Sequence, residues 1–427
     1  MNVEVEEFAR EPVPQRHWVG WLRVGLVSAM VAFSLPTFVT GAEIFLAMDN
    51  ASAVQAILIG CGVLTLIAGV CGAIGTRTHL SSYMLARIAF GTRGAALVNL
   101  AFALSLLGWF GVNIDLFSGA LLRLLNDTLG VSVVSWVVEL LAGFVMTVTT
   151  IYGFKAINAL STLLVPVMMV VTVVLISESL GMRSLGETLA LPQVAEISLG
   201  RAISSVVGGV IVGAVILPDI TRFINHWRGA LFTALMSFLI VQSVVMIAGG
   251  LAADALSNDD MLDVLIVVGL SWGAFVIIIA GTWVLNSLNL YSAILSVEAT
   301  FPKAENRTLI ICLGTLGTVA AFFNILDYFL TFLFYLAIVF VPVAGVIAVD
   351  HFYARPEAYF ENFAASERTL SPFALIAWVM GSVVALLGAE SVIELTGIAA
   401  LDAIFVSALS YALLSRFDSG PVESSAE

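Results

Sequence analysis

The feature that most constrains this chain is its succession of long apolar runs, each about the 20 residues a helix needs to cross a bilayer. Read between their polar punctuation, the runs fall at 22–47, 52–75, 94–125, 131–153, 160–177, 198–217, 230–253, 262–296, 308–325, 327–349, 371–388 and 391–414. They predict an all-α integral membrane protein with twelve transmembrane helices, the ninth and tenth separated by a tight turn around Asn324 and Asp327. Composition agrees. With 60% hydrophobic and 11% charged residues the chain has too little polar surface to clothe a water-soluble globule, and its 35 Gly and 11 Pro are better tolerated in lipid. A net charge of -13 would repel phosphates, which excludes nucleic acid as a partner. Cys61, Cys71 and Cys312 lie in apolar stretches and read as small buried hydrophobes without a redox role.

Orientation follows the distribution of Lys and Arg. Placing the N-terminus inside leaves only Arg123, Arg183 and Arg201 of the 17 basic residues outside, together with the acidic loop Asp254, Asp259, Asp260 and Asp263. Both termini are therefore predicted to be cytoplasmic and the host membrane to be the cell's inner membrane. The segment before Arg10 lacks the basic start of a signal peptide. His17, His79, His226 and His351 all fall on cytoplasmic segments without metal-ligand spacing, and there is no phosphate-cradling Gly-Lys-Ser/Thr loop. The expectation is a secondary carrier, not an enzyme or an ATP-driven pump, with no cofactor beyond a coupling ion.

Two spans are predicted to be interrupted. The first holds Ser34-Leu35-Pro36-Thr37 and Thr40-Gly41; the sixth holds Gly208-Gly209 and Gly213 and ends at Pro218-Asp219. They stand five spans apart, the pattern of a transporter built from inverted repeats, whose freed backbone groups bind substrate near the midplane. The simpler reading is that Gly and Pro are common in membrane helices.

Polar residues at membrane depth mark a candidate pocket. Trp109 and Asn113, four apart, share a helical face, as do Trp283 with Asn286 and Asn286 with Asn289. An indole plate with amides around it suits a planar, neutral, polar heterocycle; the alternative is that the amides bond neighbouring helices. Glu43 and Asp115 are the carboxylates deepest in predicted hydrocarbon and are proton-relay candidates, although Asp115 points away from the Trp109 face. Glu139 and Asp327 are placed near outer ends, and Trp136, Trp272 and Trp378 read as interfacial belt residues.

Five blocks carry a family resemblance: Pro12-Val13-Pro14-Gln15; Gly72-Ala73 through Arg87-Ile88-Ala89-Phe90-Gly91; Gly108-Trp109-Phe110-Gly111; Pro218-Asp219-Ile220-Thr221-Arg222-Phe223; and Pro342-Val343-Ala344-Gly345 through Asp350. In this order, over nearly the whole chain, they resemble the purine/cytosine permease family of nucleobase:cation symporters. The resemblance implies a leucine-transporter-type fold: two inverted five-helix repeats at 22–177 and 198–349, two peripheral helices at 371–414, and tails at 1–21 and 415–427. It implies import of a nucleobase, or a related heterocycle, by cation-coupled symport with alternating access; the sequence itself leaves the oligomeric state open, a monomer being one option. Carriers of other small solutes, such as a hydantoin or vitamin precursor, and a non-transporting membrane sensor remain alternatives.

Carried over position by position, Trp109 matches the family tryptophan on which the ring stacks and Asn286 the eighth-helix asparagine that bonds the substrate. Asn113 falls where a hydantoin carrier has a glutamine. Asn289, Ser34, Gly209 and Val210 complete the expected site. The chain departs from cytosine carriers at Leu106, where they have a glutamine, and at Val210, where they have an aromatic. It also has Val284-Leu285 where sodium-coupled members have two adjacent hydroxyl residues just before the asparagine. These departures imply proton coupling through Glu43 or Asp115, unless a register shift brings Ser287 and Ser292 into the ion site.

Overall fold

A computed structural model describes residues 8, 11–151, 153–190, 197–258, 261–269, 281–301, 303–323, 329–360, 368–389, 392–393 and 395–417. Among them every regular element is a helix, and the one β-type pairing is an isolated bridge between Val19 and Ile224. Seven helices are long and apolar enough to cross a membrane, an eighth crossing is a bent pair, and three shorter apolar helices accompany them.

The bent pair is the first span. Helix α1 (Trp21–Ala32) and helix α2 (Leu35–Ala47) meet at 53°. The cause is local: Pro36 has no amide hydrogen for the Ala32 carbonyl, and Ser34 leaves the helix with φ -103 and ψ 152. Helix α3 (Asn50–Thr78) is a rod. Helix α4 (Ser82–Leu129) starts twelve residues earlier than the sequence reading and is broken at Gly91, whose φ of +78 and ψ of 166 are open to glycine. The segment 368–371 docks on that break, where Ser371 donates to the Phe90 carbonyl and Thr92 to the Arg368 carbonyl.

Helices α5 (Ser135–Ile151) and α6 (Gly153–Met182) follow, then a short α7 (Leu185–Ala190) that the apolar pattern does not reveal. Helix α8 (Leu199–Val215) runs unbroken through Gly208-Gly209. The sixth span breaks later, at Ile216-Leu217, before the single turn α9 (Pro218–Thr221). Two glycines inside one helix lower its propensity without severing its hydrogen bonds, whereas a proline cannot be accommodated. The break expected at Gly208-Gly209 is thus corrected to the approach to Pro218.

Helix α10 (Trp227–Ala234) passes through a π-turn (Leu235–Val241) into α11 (Gln242–Leu256). Within the expected span 262–296 the described residues form a short α12 (Met261–Val267), which ends in a turn at Val268-Gly269, and a separate α13 (Thr282–Thr300), because hydropathy alone does not register that turn. Residues 270–280, including Trp272, lie outside the described set, as does the turn at Asn324 and Asp327. Helices α14 (Asn306–Ala321), α15 (Phe329–Val349), α16 (Pro372–Ala389) and α17 (Ala399–Leu414) complete the chain.

The packing has a symmetry that the sequence only hinted at. The first span packs on the seventh (α10–α11) as the sixth packs on the second (α3), and α4 packs on α13, its own counterpart. Likewise α4 meets α14 as α13 meets α5, and α6 meets α1 as α15 meets α8. Exchanging each span with the one five later therefore reproduces the neighbour pattern, as an inverted five-helix repeat requires. Helices α16 and α17 pair with each other and against α15 at the periphery. Close crossings fix the frame: a methyl on Gly41 would strike the Met246 backbone, and one on Gly249 the Phe38 backbone, so α2 and α11 approach at main-chain distance. Leu66, Leu104 and Leu163 point outward, as a lipid-facing surface demands.

Beneath the tenth span lies a buried polar knot. Asp350 accepts from Arg355 Nε and Nη2, both at 3.0 Å, from the Tyr359 hydroxyl at 2.8 Å and from the Tyr411 hydroxyl of α17 at 2.6 Å. Arg355 also donates to the Ile88 carbonyl at 2.6 Å, tying this knot to the first turns of α4.

Candidate binding cavity

The broken first span and the sixth span converge on a cavity whose remaining walls are α4, α11 and α13. At the break, the carbonyl end of α1 and the amide end of α2 face each other across Ser34, placing partial charges of both signs at one point. Ser34 Oγ pairs with Thr37 Oγ1 at 3.1 Å, and both line the cavity with Ser28 and Thr40. Opposite them stand Gly209, Val210 and Gly213 of α8. A mainly apolar lining with a few convergent polar groups is the usual form of a small-molecule site.

The side chains at positions 106 and 109 of α4 form the third wall. Trp109 is 8% exposed and lines the cavity beside Leu106. Asn113 shares its helical face but not the cavity: its Nδ2 donates to the Trp109 carbonyl at 2.8 Å. The face that α13 presents is Leu285, Leu288, Asn289 and Ser292, the i, i+3, i+4, i+7 stripe of one helical side. Asn286 lies off that stripe. Its Nδ2 donates to the Phe110 carbonyl at 2.9 Å and approaches Met146 sulfur at 3.3 Å, so it joins α13 to α4 and α5 behind the wall. Trp283 likewise turns away, donating Nε1 to Thr149 Oγ1 at 3.0 Å.

Of the expected site, the structure thus brings together Trp109, Asn289, Ser34, Gly209 and Val210, and sets Asn113 and Asn286 outside the lining. Of the ion-coupling candidates, Glu43, Asp115 and Ser287 do not line it, whereas Ser292, named with Ser287, does. Glu43 is partly buried on the flank of α2; Ser287 is buried behind the wall, its carbonyl accepting from Thr150 Oγ1 at 3.4 Å. Asp115 is partly buried with Glu139 as its electrostatic neighbour, and Glu139, in the first turns of α5, is itself only 7% exposed. Among the tryptophans expected at interfaces, Trp136 is exposed, but Trp378 donates to the Val339 carbonyl at 2.7 Å. Cys61 and Cys71 are buried while Cys312 is exposed on α14.

The carboxylate that does line the cavity is Asp219, 1% exposed at the start of α9. Sequence reasoning quoted it as the end of a span. The signal that could have found it is its place directly after the proline that breaks the sixth helix. Beyond it the chain is sealed by buried contacts. Arg222, fully buried, donates Nε to the Asp219 main-chain oxygen at 3.0 Å, Nη2 to the Tyr291 hydroxyl at 3.3 Å and Nη1 to the Phe8 carbonyl at 2.8 Å. His79, just past the end of α3, donates Nδ1–H to the Arg222 carbonyl at 2.7 Å and stacks on Trp18 at 4.0 Å. Burial pushes its imidazole below the usual value against the pull of that carbonyl, which keeps it neutral at pH 7.

A polar-edged cavity at the break of a discontinuous helix, inside an inverted repeat of membrane-spanning helices, defines a membrane permease and not an enzyme. The sequence profile of the family described as "Permease for cytosine/purines, uracil, thiamine, allantoin" matches residues 12–413, and the chain belongs to that family. It is 29% identical over 409 residues to the cytosine permease of Escherichia coli (strain K12), an alignment covering 96% of this chain and 94% of the relative. Among solved structures it is similar to Mhp1, a nucleobase-cation-symport-1 family transporter, in a closed conformation with bromovinylhydantoin bound (TM-score 0.83, 20% identity, 97% and 96% of the two chains). It is also similar to Mhp1 in its inward-facing conformation (TM-score 0.78, 18% identity, 96% and 94%) and to a Na+-coupled sialic acid symporter (TM-score 0.66, 12% identity, 94% and 91%). These likenesses establish the fold.

Proposed function

We propose that the protein imports a nucleobase or a closely related planar nitrogen heterocycle by cation-coupled symport. The observation that carries this reading is the placement of Trp109 and Asn289 together in the lining of one cavity at the Ser34 break. An indole supplies a π-face to any heterocycle, and an amide supplies one donor and one acceptor to its edge. Cytosine, in the name of the relative, and the hydantoin held by Mhp1 are both small rings with N–H and C=O groups around the rim. Leu106 and Val210 both line the wall, so they are the positions at which this member's choice among such rings is set.

Transport follows from the architecture by alternating access. A ring that bridges α4 and α13 on one side to α2 and α8 on the other stabilises the occluded arrangement, and the two groups of helices then rock about it. The protein works in the cytoplasmic membrane with both termini inside, and the coupling cation is a proton in preference to sodium.

The test is a thermal-shift screen of the detergent-purified protein against nucleobases and hydantoins, each with sodium, with potassium, and at two pH values. A ligand at about 100 times its Kd adds about 2.7 kcal/mol of stability by mass action. The reading expects a shift with at least one nucleobase that grows on acidification and is indifferent to sodium. No shift with any member of the panel contradicts it.

A further inference from the structure

We propose that Asp219 carries the coupling proton, an assignment that rests on the transport reading above. Asp219 stands out by an asymmetry between its two oxygens. Oδ1 accepts the Ser82 amide at 2.9 Å and the Ser82 hydroxyl at 2.5 Å, at the first turn of α4. Oδ2 is buried and has no hydrogen-bond partner. The Tyr83 hydroxyl stands beside the carboxylate and Ser292, close enough to interact with both but without a hydrogen bond of good geometry to either. An ionised carboxylate with one oxygen unsatisfied in a dry site is a costly arrangement. A proton on Oδ2 removes that cost and leaves the two Ser82 bonds in place.

The neutral acid then has an O–H that needs an acceptor, and the residue lines the cavity. A carbonyl or ring nitrogen of a bound heterocycle supplies one. Proton and substrate therefore favour each other's binding, and by linkage the effect is reciprocal. The step balances simply: one proton from the outer solution joins the carboxylate, travels as the acid with the substrate, and leaves to the inner solution when the cavity opens there.

The groups around the carboxylate fit this use. Arg222 lies within electrostatic reach and donates to the Asp219 and Phe8 main-chain oxygens and to the Tyr291 hydroxyl. Past the end of α3, His79 bonds the Arg222 carbonyl and stacks on Trp18; from α4 come Ser82 and Tyr83; from α13, Tyr291 and Ser292; α1 offers Ser28 and Val31 at the cavity. Asp219 also bridges the sixth span to the start of α4, which belong to different sets of helices in the repeat. Its charge state thus acts on a contact between the parts that must separate.

The experiment has two arms on the full-length protein. Infrared difference spectra between alkaline and acid buffer, without ligand, should show a buried carboxyl band in the wild type that Asp219→Asn lacks and Asp219→Glu retains at a shifted frequency. In proteoliposomes, wild type should accumulate cytosine about tenfold per unit of pH gradient. Asp219→Asn, which keeps the acceptor for Ser82 and mimics the neutral acid, should exchange cytosine across the membrane without accumulating it. An unchanged carboxyl band in Asp219→Asn overturns the assignment, as does gradient-driven accumulation at the wild-type level. Absence of cytosine exchange by wild type, with the Asp219-dependent band present, counts against the choice of substrate and supports the titration of Asp219.

Discussion

Trp109→Ala weakens heterocycle binding by about 5- to 150-fold and stops measurable uptake, while the protein remains in the membrane at wild-type abundance. The range follows from base–aromatic stacking, worth about 1–3 kcal/mol by alanine substitution, at 1.4 kcal/mol per tenfold. The abundance follows from position. Trp109 lines a cavity, so its removal enlarges existing space instead of opening a void in packed core. Trp109→Phe, which keeps a π-face, should recover most of the affinity. Equilibrium binding on purified protein, normalised to membrane content, measures both effects. Normal affinity in Trp109→Ala would remove stacking from the account.

The second large effect lies far from the cavity. Asp350→Ala strips the acceptor from Arg355, Tyr359 and Tyr411 at once. Breaking a buried pair by deleting one partner costs about 3–5 kcal/mol, because the remaining charge stays buried without compensation. We expect a sharp loss of membrane abundance and a lower Tm, with unchanged ligand affinity in the protein that survives. Asp350→Asn should fall between, since an amide still accepts from the two hydroxyls. Wild-type thermal stability in Asp350→Ala would show that the knot is not structural.

The sequence was most legible where physics leaves one solution. Pro36 in an apolar run must break it, and the structure bends between Ala32 and Leu35. Gly208-Gly209 looked equivalent and was not, since glycine only weakens a helix that its neighbours hold. Hydropathy merged α12 with α13 because length and apolarity do not register a turn.

Within the site, spacing placed residues on a shared face correctly but not the face toward the cavity. Asn286 and Asn289 are neighbours by the three-residue rule, yet only Asn289 belongs to the stripe with Leu285, Leu288 and Ser292. Which stripe faces inward depends on how α13 is rotated against α4, and this is a property of tertiary packing. Asn113 was misleading for another reason: an amide one turn after Trp109 can satisfy itself on its own helix. Asp219 escaped notice as a functional residue because its burial arises from Ser82, far away in sequence.

The most direct test of the account is cytosine exchange in proteoliposomes by Asn289→Ala and Asn286→Ala side by side with wild type. The account predicts that Asn289→Ala loses exchange at normal thermal stability, whereas Asn286→Ala exchanges cytosine with wild-type affinity from a less stable protein. Wild-type exchange by Asn289→Ala together with loss of exchange by Asn286→Ala would contradict it, and would move the substrate site behind the wall assigned here.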